Sequence, residues 1–223
     1  MTSKLKKQLL EEYRNIFINS FEAGGGYGFR FYHGVRMMRY CEAFLRLPSF
    51  KHIKINRDAL AIAALFADVG KVRAINKRGE LVYGSKGDRE HAKSGALLVS
   101  WYISKYLKDK KLMNFIQEII REQQGIRQMT IESKLVKDAD RLDNYGFIQI
   151  WRHITYAHYD KRNIDRLNEF WIKEAWRRKA KDYLKKFNFP IIKKIALERF
   201  KKLDYLLKEI NKEMNGRDID KFI

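Results

Sequence analysis

Two sets of residues in this chain could do chemistry: histidines at the starts of helices and acids embedded in apolar sequence. His33 stands in YHGVRMMRY and His91 in DREHAKSGALLV. Asp68 ends the apolar stretch Ala59–Ala67 and is followed by Val69, Gly70 and Lys71. A buried carboxylate without a partner is costly, and the C-terminal pole of a helix disfavours an anion. Something cationic must therefore face Asp68: an arginine, a lysine or a metal ion. The plainest partner would be Arg36 or Arg141 in a buried salt bridge. The segment KDADRLD sets Asp138, Asp140 and Asp143 beside Leu135, Val136, Ala139 and Leu142, so at least one carboxylate faces inward. Residue types and spacing leave open which of the three that is. Imidazole with carboxylates is a ligand set for Mn²⁺, Fe²⁺ or Zn²⁺, and less well for Mg²⁺.

The other candidates read as structural. His52, His153 and His158 are assigned to the surface. Tyr159, Phe170, Trp171, Trp176, Tyr183 and Phe187 are assigned to packing rather than to base-stacking platforms. Gly24–Gly26 and Gly28 lack the GxxxxGK[ST] spacing and the preceding strand of a phosphate loop. They read as a flexible loop leading to His33.

Helices must position these groups, because apolar residues recur at helical spacing along most of the chain. Ser3 is expected to cap a helix over about 4–20, and AGGGYG (23–28) breaks it. A second helix is predicted over about 31–46, ahead of Pro48. A third, opened by Asn56 or Asp58, spans about 57–69 and stops at Gly70; it is apolar almost all round and so belongs at the centre of the core. Residues 70–88 read as an irregular loop with a short hairpin at ELVYG. Further helices are predicted over about 89–107, 110–123, 131–138 and from near Asn144 through Trp151 to Tyr156, then two long ones over about 163–187 and 190–214. The class is all-α: one domain over 1–223, with a bundle core of about 20–160 and the C-terminal helices of 163–214 packed on it.

Composition narrows the function classes. The chain has 223 residues, 45% hydrophobic, enough for a sizeable core. Its longest apolar run falls far short of the roughly 20 residues of a membrane span, and its start lacks the apolar region of a secretory signal. The single cysteine, Cys41, excludes an internal disulfide and a cysteine-rich zinc module. These features favour the cytoplasm. A net charge of +20 favours polyanionic partners, but it is spread along the chain as a solvated, lysine-rich surface.

The spacing of these motifs resembles the HD-domain metal-dependent phosphohydrolases, all-helical proteins with the pattern H…HD…D. YHGVRMMRY resembles the first histidine helix, FADVGK (66–71) the HD-containing segment and KDADRLDNYG the last aspartate. REHAKSGA, DADRLDNYGFIQIWR and ALERFKKLDYLLKEINKEMNG extend the resemblance over roughly 20–216, to a branch of small stand-alone hydrolases with nucleotide pyrophosphohydrolases among them. The resemblance implies a phosphohydrolase acting on a nucleotide or related phosphoester, with nucleic acid a less favoured partner; a homodimer is compatible with the long C-terminal helices. It implies a mononuclear metal held by His33, Asp68 and Asp140, which leaves Asp138 and Asp143 as caps or surface acids. Asp68, Lys71 and His91 would then be catalytic, and Lys71, His91, Arg141 and Arg152 would contact substrate phosphates. A bound ion would activate water and polarise a phosphoryl oxygen.

Two departures matter. The family's His-Asp pair is Ala67-Asp68 here, and alanine cannot ligate a metal. Where many members carry a further histidine pair, this chain reads Glu122, Gln123 and Gln124. Glu122 is the one residue there that could substitute as a ligand. Ala67 reads either as a natural loss or as an introduced His→Ala change. Activity is therefore expected to be weakened or absent, and the alternative is a degenerate HD domain that binds nucleotides or nucleic acid without cleaving them.

Overall fold

Asn56 opens the helix on which the rest of the fold depends. Its side-chain oxygen accepts from the Ala59 N–H at 3.0 Å, satisfying one of the donors that a helix start leaves unpaired. Glu132 accepts from the Asn56 N–H at 2.7 Å and ties this start to a later helix. The computed structural model describes residues 1–125, 127–166, 169 and 180–223. They form two compact units, Met1–Asp140 and Arg141–Ile223.

In the first unit, α1 (Ser3–Phe17) is capped by Thr2 rather than by the expected Ser3. A two-residue hairpin follows, β1 (Phe21–Glu22) paired antiparallel with β2 (Gly26–Tyr27). Gly28, at φ 65°, turns the chain into α2 (Phe29–Phe44), a backbone geometry that costs glycine nothing. Helix α3 (Arg57–Phe66) is buried at every residue from Ala59 on, as its all-round apolarity predicts. α4 (Lys86–Arg89), α5 (His91–Ile103), α6 (Lys110–Glu122) and α7 (Ile131–Leu142) complete the bundle. Helix α3 packs against α1, α2 and α6. Burying a side chain the size of Phe66 contributes about 1.5–3 kcal/mol, and small alanines between such residues let neighbouring helices come close.

Two glycines set those approaches. A Cβ on Gly34 would lie 2.6 Å from the Leu65 carbonyl and 2.5 Å from the Tyr13 ring, so α2 crosses α3 with no room for a side chain. A Cβ on Gly70 would lie 1.9 Å from the His91 carbonyl. Gly70 belongs to a 3-10 turn over Val69–Ala74, where an irregular loop was expected. The remainder of that segment forms isolated bridges, Ile75 with Leu81 and Phe21 with Glu80, in place of a hairpin confined to ELVYG.

In the second unit, α8 (Phe147–Tyr159) and α9 (Pro190–Met214) pack through Ala157, Leu203 and Leu207, flanked by Ile150 and Ile210. Pro190 occupies the first helical turn, where its missing N–H is no loss. Most of the helix expected over 163–187, with Phe170, Trp171 and Trp176, lies outside the described residues. Tyr145 and Phe187 meet ring to ring at 5.8 Å. Among the described residues, no helix is long and apolar enough to cross a membrane.

Candidate active site

Four segments of the first unit bring the candidate residues together. The α2–α3 crossing at Gly34 sets His33, the preceding residue, against the end of α3. There Asp68 leaves the helix at φ −100°, ψ 11° and begins the 3-10 turn. The Lys71 N–H closes that turn on the Asp68 carbonyl at 2.9 Å, which brings the lysine back over the carboxylate. The Gly70 contact fixes the start of α5, and with it His91. Asp140 comes from the last turns of α7.

The resulting distances define a tight cluster. His33 Nε2 lies 3.4 Å from Asp68 Oδ2 and 3.7 Å from Asp140 Oδ1. His91 Nε2 lies 3.1 Å from Asp68 Oδ1. Lys71 Nζ lies 3.9 Å from Asp68 Oδ2 and 3.7 Å from Asp88 Oδ1. The Asp68 side chain is 4% exposed and that of Asp140 is 23% exposed, so the cluster meets solvent on the Asp140 side. Lys137 Nζ stands 3.7 Å from Asp140 Oδ2. His33, Asp68, Lys71, His91 and Asp140 thus converge. Arg141 follows Asp140 on α7 and belongs to the second unit, as does Arg152, which donates to Asn144 Oδ1 at 2.7 Å.

The cation required at Asp68 proves to be neither Arg36 nor Arg141 but Arg30, with Lys71 behind it. Arg30 donates through Nη1 to Asp68 Oδ2. Its Nε donates to Glu22 Oε2 at 3.0 Å, and its Nη2 donates to the same oxygen. Tyr83 donates its hydroxyl to the other oxygen of Glu22. Arg36 instead lies over the Phe29 ring, at 5.1 Å from its centroid. Burial pushes the Asp68 carboxyl up, but the charges of Lys71 and Arg30 and hydrogen bonds from His33 and His91 outweigh it and hold the group well below the usual carboxylate range. Burial likewise opposes the Arg30 charge, and Glu22 and Asp68 more than offset it.

Several other side chains depart from expectation. Gln124 places its amide nitrogen 2.9 Å from His91 Nδ1, which also faces the Asp88 carbonyl at 2.6 Å. These two contacts orient the ring. Glu122 accepts from the Met129 N–H at 2.9 Å and takes no place in the cluster. Asp138 and Asp143, read as caps or surface acids, are fully buried. His153, read as surface, is half-buried with its Nε2 3.0 Å from the Gln149 amide nitrogen. Sequence reasoning missed Arg30, Glu22, Tyr83, Asp88 and Gln124. The one signal for Arg30 was the demand of Asp68 for a cation, which many basic residues could have met.

The HD domain family matches residues 30–145, more than half of the chain, so the chain belongs to the HD-domain family. Its fold is shared with an HD-superfamily hydrolase from Bacillus thuringiensis at 21% identity and TM-score 0.63, covering 95% of this chain and 97% of that one. Bacillus subtilis YpgQ, solved in complex with ADP, is similar at 17% identity and TM-score 0.62, over 96% of this chain and 97% of its own. The Lin1889 protein from Listeria innocua matches at 21% identity and TM-score 0.58, over 96% and 98%. No curated protein matches. HD membership supports the general class of metal-dependent phosphohydrolases.

Whether an ion fits here depends on the donors present. His33 Nε2 stands within 3.7 Å of both Asp68 Oδ2 and Asp140 Oδ1. However, the next position, Ala67, offers no donor, and the Asp68 oxygen that faces His33 is the one Arg30 holds. Among the described residues, no group of three or more His, Cys, Asp or Glu is arranged to hold a metal ion. As they stand, these residues do not fit a divalent ion.

Proposed function

We propose that this chain is an HD-family phosphohydrolase directed at a nucleotide or related phosphoester, with its hydrolytic centre weakened or silenced at Ala67. The observation that carries this reading is the convergence of His33, Asp68, Asp140, His91 and Lys71 on one partly open cluster. The ADP bound by YpgQ, a protein of the same fold, supports a nucleotide as the ligand class.

The roles follow from the groups. Lys71 supplies a cation that can donate to a phosphate oxygen. His91, steadied on Asp68, can hold or deliver a proton at the leaving oxygen. Asp68, within 3.4 Å of both His33 and His91, would orient the two histidines. The second reading, a domain that binds the phosphoester without cleaving it, is favoured by Arg30 on Asp68 and by the missing donor at Ala67.

The test is phosphate and pyrophosphate release from a nucleotide panel with Mn²⁺, together with calorimetric nucleotide binding in EDTA. The unmodified chain is expected to bind a nucleotide with release at background. Release should rise only where Ala67→His restores the donor, and fully only where Arg30 no longer holds Asp68. If neither chain binds or cleaves any nucleotide, the reading fails.

A further inference from the structure

The disagreement between donors and ion has a specific structural cause. Asp68 is 3% exposed, Arg30 4% and Glu22 1%, so three charged groups are buried together. Buried charges persist only when paired, and here each carboxylate shares the same guanidinium. The guanidinium spans the two because its nitrogens form a planar fork. Glu22 is itself fixed, by the Tyr83 hydroxyl and by its place in the hairpin before α2. Arg30 sits in the first turn of α2, the pole that disfavours a cation. Its position is therefore set by the two carboxylates rather than by the helix.

We propose that Arg30, clamped by Glu22, is a built-in cation that takes the place on Asp68 that a divalent ion would need, so that the centre keeps its converging donors in charge balance without a metal. Two positive charges, Arg30 and Lys71, already face Asp68. An ion bound to His33, Asp68 and Asp140 would have to displace the guanidinium from Oδ2 and then lie beside it as a like charge. Loss of the histidine at position 67 is then only half of the change. Restoring it leaves the guanidinium in the way.

The proposal goes beyond the nucleotide reading and does not rest on it, because its readout is Mn²⁺ alone. Free Mn²⁺ is counted by electron paramagnetic resonance against the full chain after chelator treatment. The unmodified chain should bind no tighter than about millimolar, and Ala67→His should gain less than about tenfold. Adding Glu22→Gln and Arg30→Met to Ala67→His should gain about 100-fold or more over Ala67→His, at least the upper end of what changes beside metal ligands do to affinity. The melting temperature of that triple variant should rise with Mn²⁺, while that of the unmodified chain should not move.

The proposal is overturned if the unmodified chain binds Mn²⁺ at micromolar concentration. It is equally overturned if Ala67→His alone binds as tightly as the triple variant. Should the triple variant fail to fold, Ala67→His with Arg30→Lys provides the same comparison. Lysine retains a charge beside Glu22 but lacks the fork that also reaches Asp68. A nucleotide panel that gives no binding would sink the functional reading and leave these metal affinities as they are.

Discussion

Gly70→Ala is the most direct test of how the fold positions His91. The added Cβ would lie 1.9 Å from the His91 carbonyl, 2.6 Å from Ser94 Oγ and 2.7 Å from the Gly95 nitrogen. Two of the three atoms are backbone, so no side-chain rotation relieves the overlap. Either the 3-10 turn or the start of α5 must move by about 1.5 Å to reach ordinary contact. A shift of that size takes His91 Nε2, now 3.1 Å from Asp68 Oδ1, out of hydrogen-bond range. Overpacking costs about 1–3 kcal/mol, and a hydrogen bond to a charged group contributes about 1.5–3 kcal/mol. The sum, about 2.5–6 kcal/mol, is a large share of the 5–15 kcal/mol typical of a domain. Urea unfolding followed by circular dichroism should show the midpoint falling with little change in slope. Gly216→Ala, at a left-handed position (φ 66°) with open space around it, serves as the control and should cost only about 1 kcal/mol. A loss below about 1 kcal/mol for Gly70→Ala would refute the argument that this contact places His91.

Two further outcomes probe regions outside the cluster. Burial first, and the Arg152 charge second, pull the His153 pKa down from 6.5 to about 4. The unfolded chain therefore takes up a proton between those values that the folded chain refuses. Stability from this group is complete above about pH 6.5 and is lost as pH falls towards 4, by up to about 3 kcal/mol. His153→Leu should flatten that part of the stability–pH curve, and an unchanged curve would show that the ring titrates freely. Glu122→Ala removes the acceptor for the Met129 N–H ahead of α7. It should cost about 1 kcal/mol of unfolding stability and leave nucleotide binding as it was, whereas lost binding would put Glu122 in the site after all.

How much could be read in advance differs by element. Helix α3 was legible because apolarity on every side can only mean burial. Its start was legible to within Asn56 or Asp58, because few residue types cap a helix, and the structure places the cap at Asn56. The 3-10 turn over Val69–Ala74 was not, since its conformation comes from the close approach of Gly70 to α5, a contact between segments. Asp138 and Asp143 were misread because a run of acids looks solvated unless the packing around it is known. His153 was misread because its spacing from His158 says nothing of what covers it.

By itself the sequence determined that Asp68 ends a buried helix and that a cation must meet it, since both follow from local apolarity and the helix dipole. It also determined that His33, His91 and Asp140 belong with that carboxylate, through the resemblance its motifs carry. Which cation meets Asp68 was decided only by the tertiary structure. Arg30 lies 38 residues away in the chain, and it reaches Asp68 because Gly34 lets α2 cross α3 closely while Glu22 and Tyr83 hold the other side of the guanidinium. Periodicity shows which face of a helix is buried. It cannot show which charged groups from distant segments are buried together, because that depends on how the helices cross.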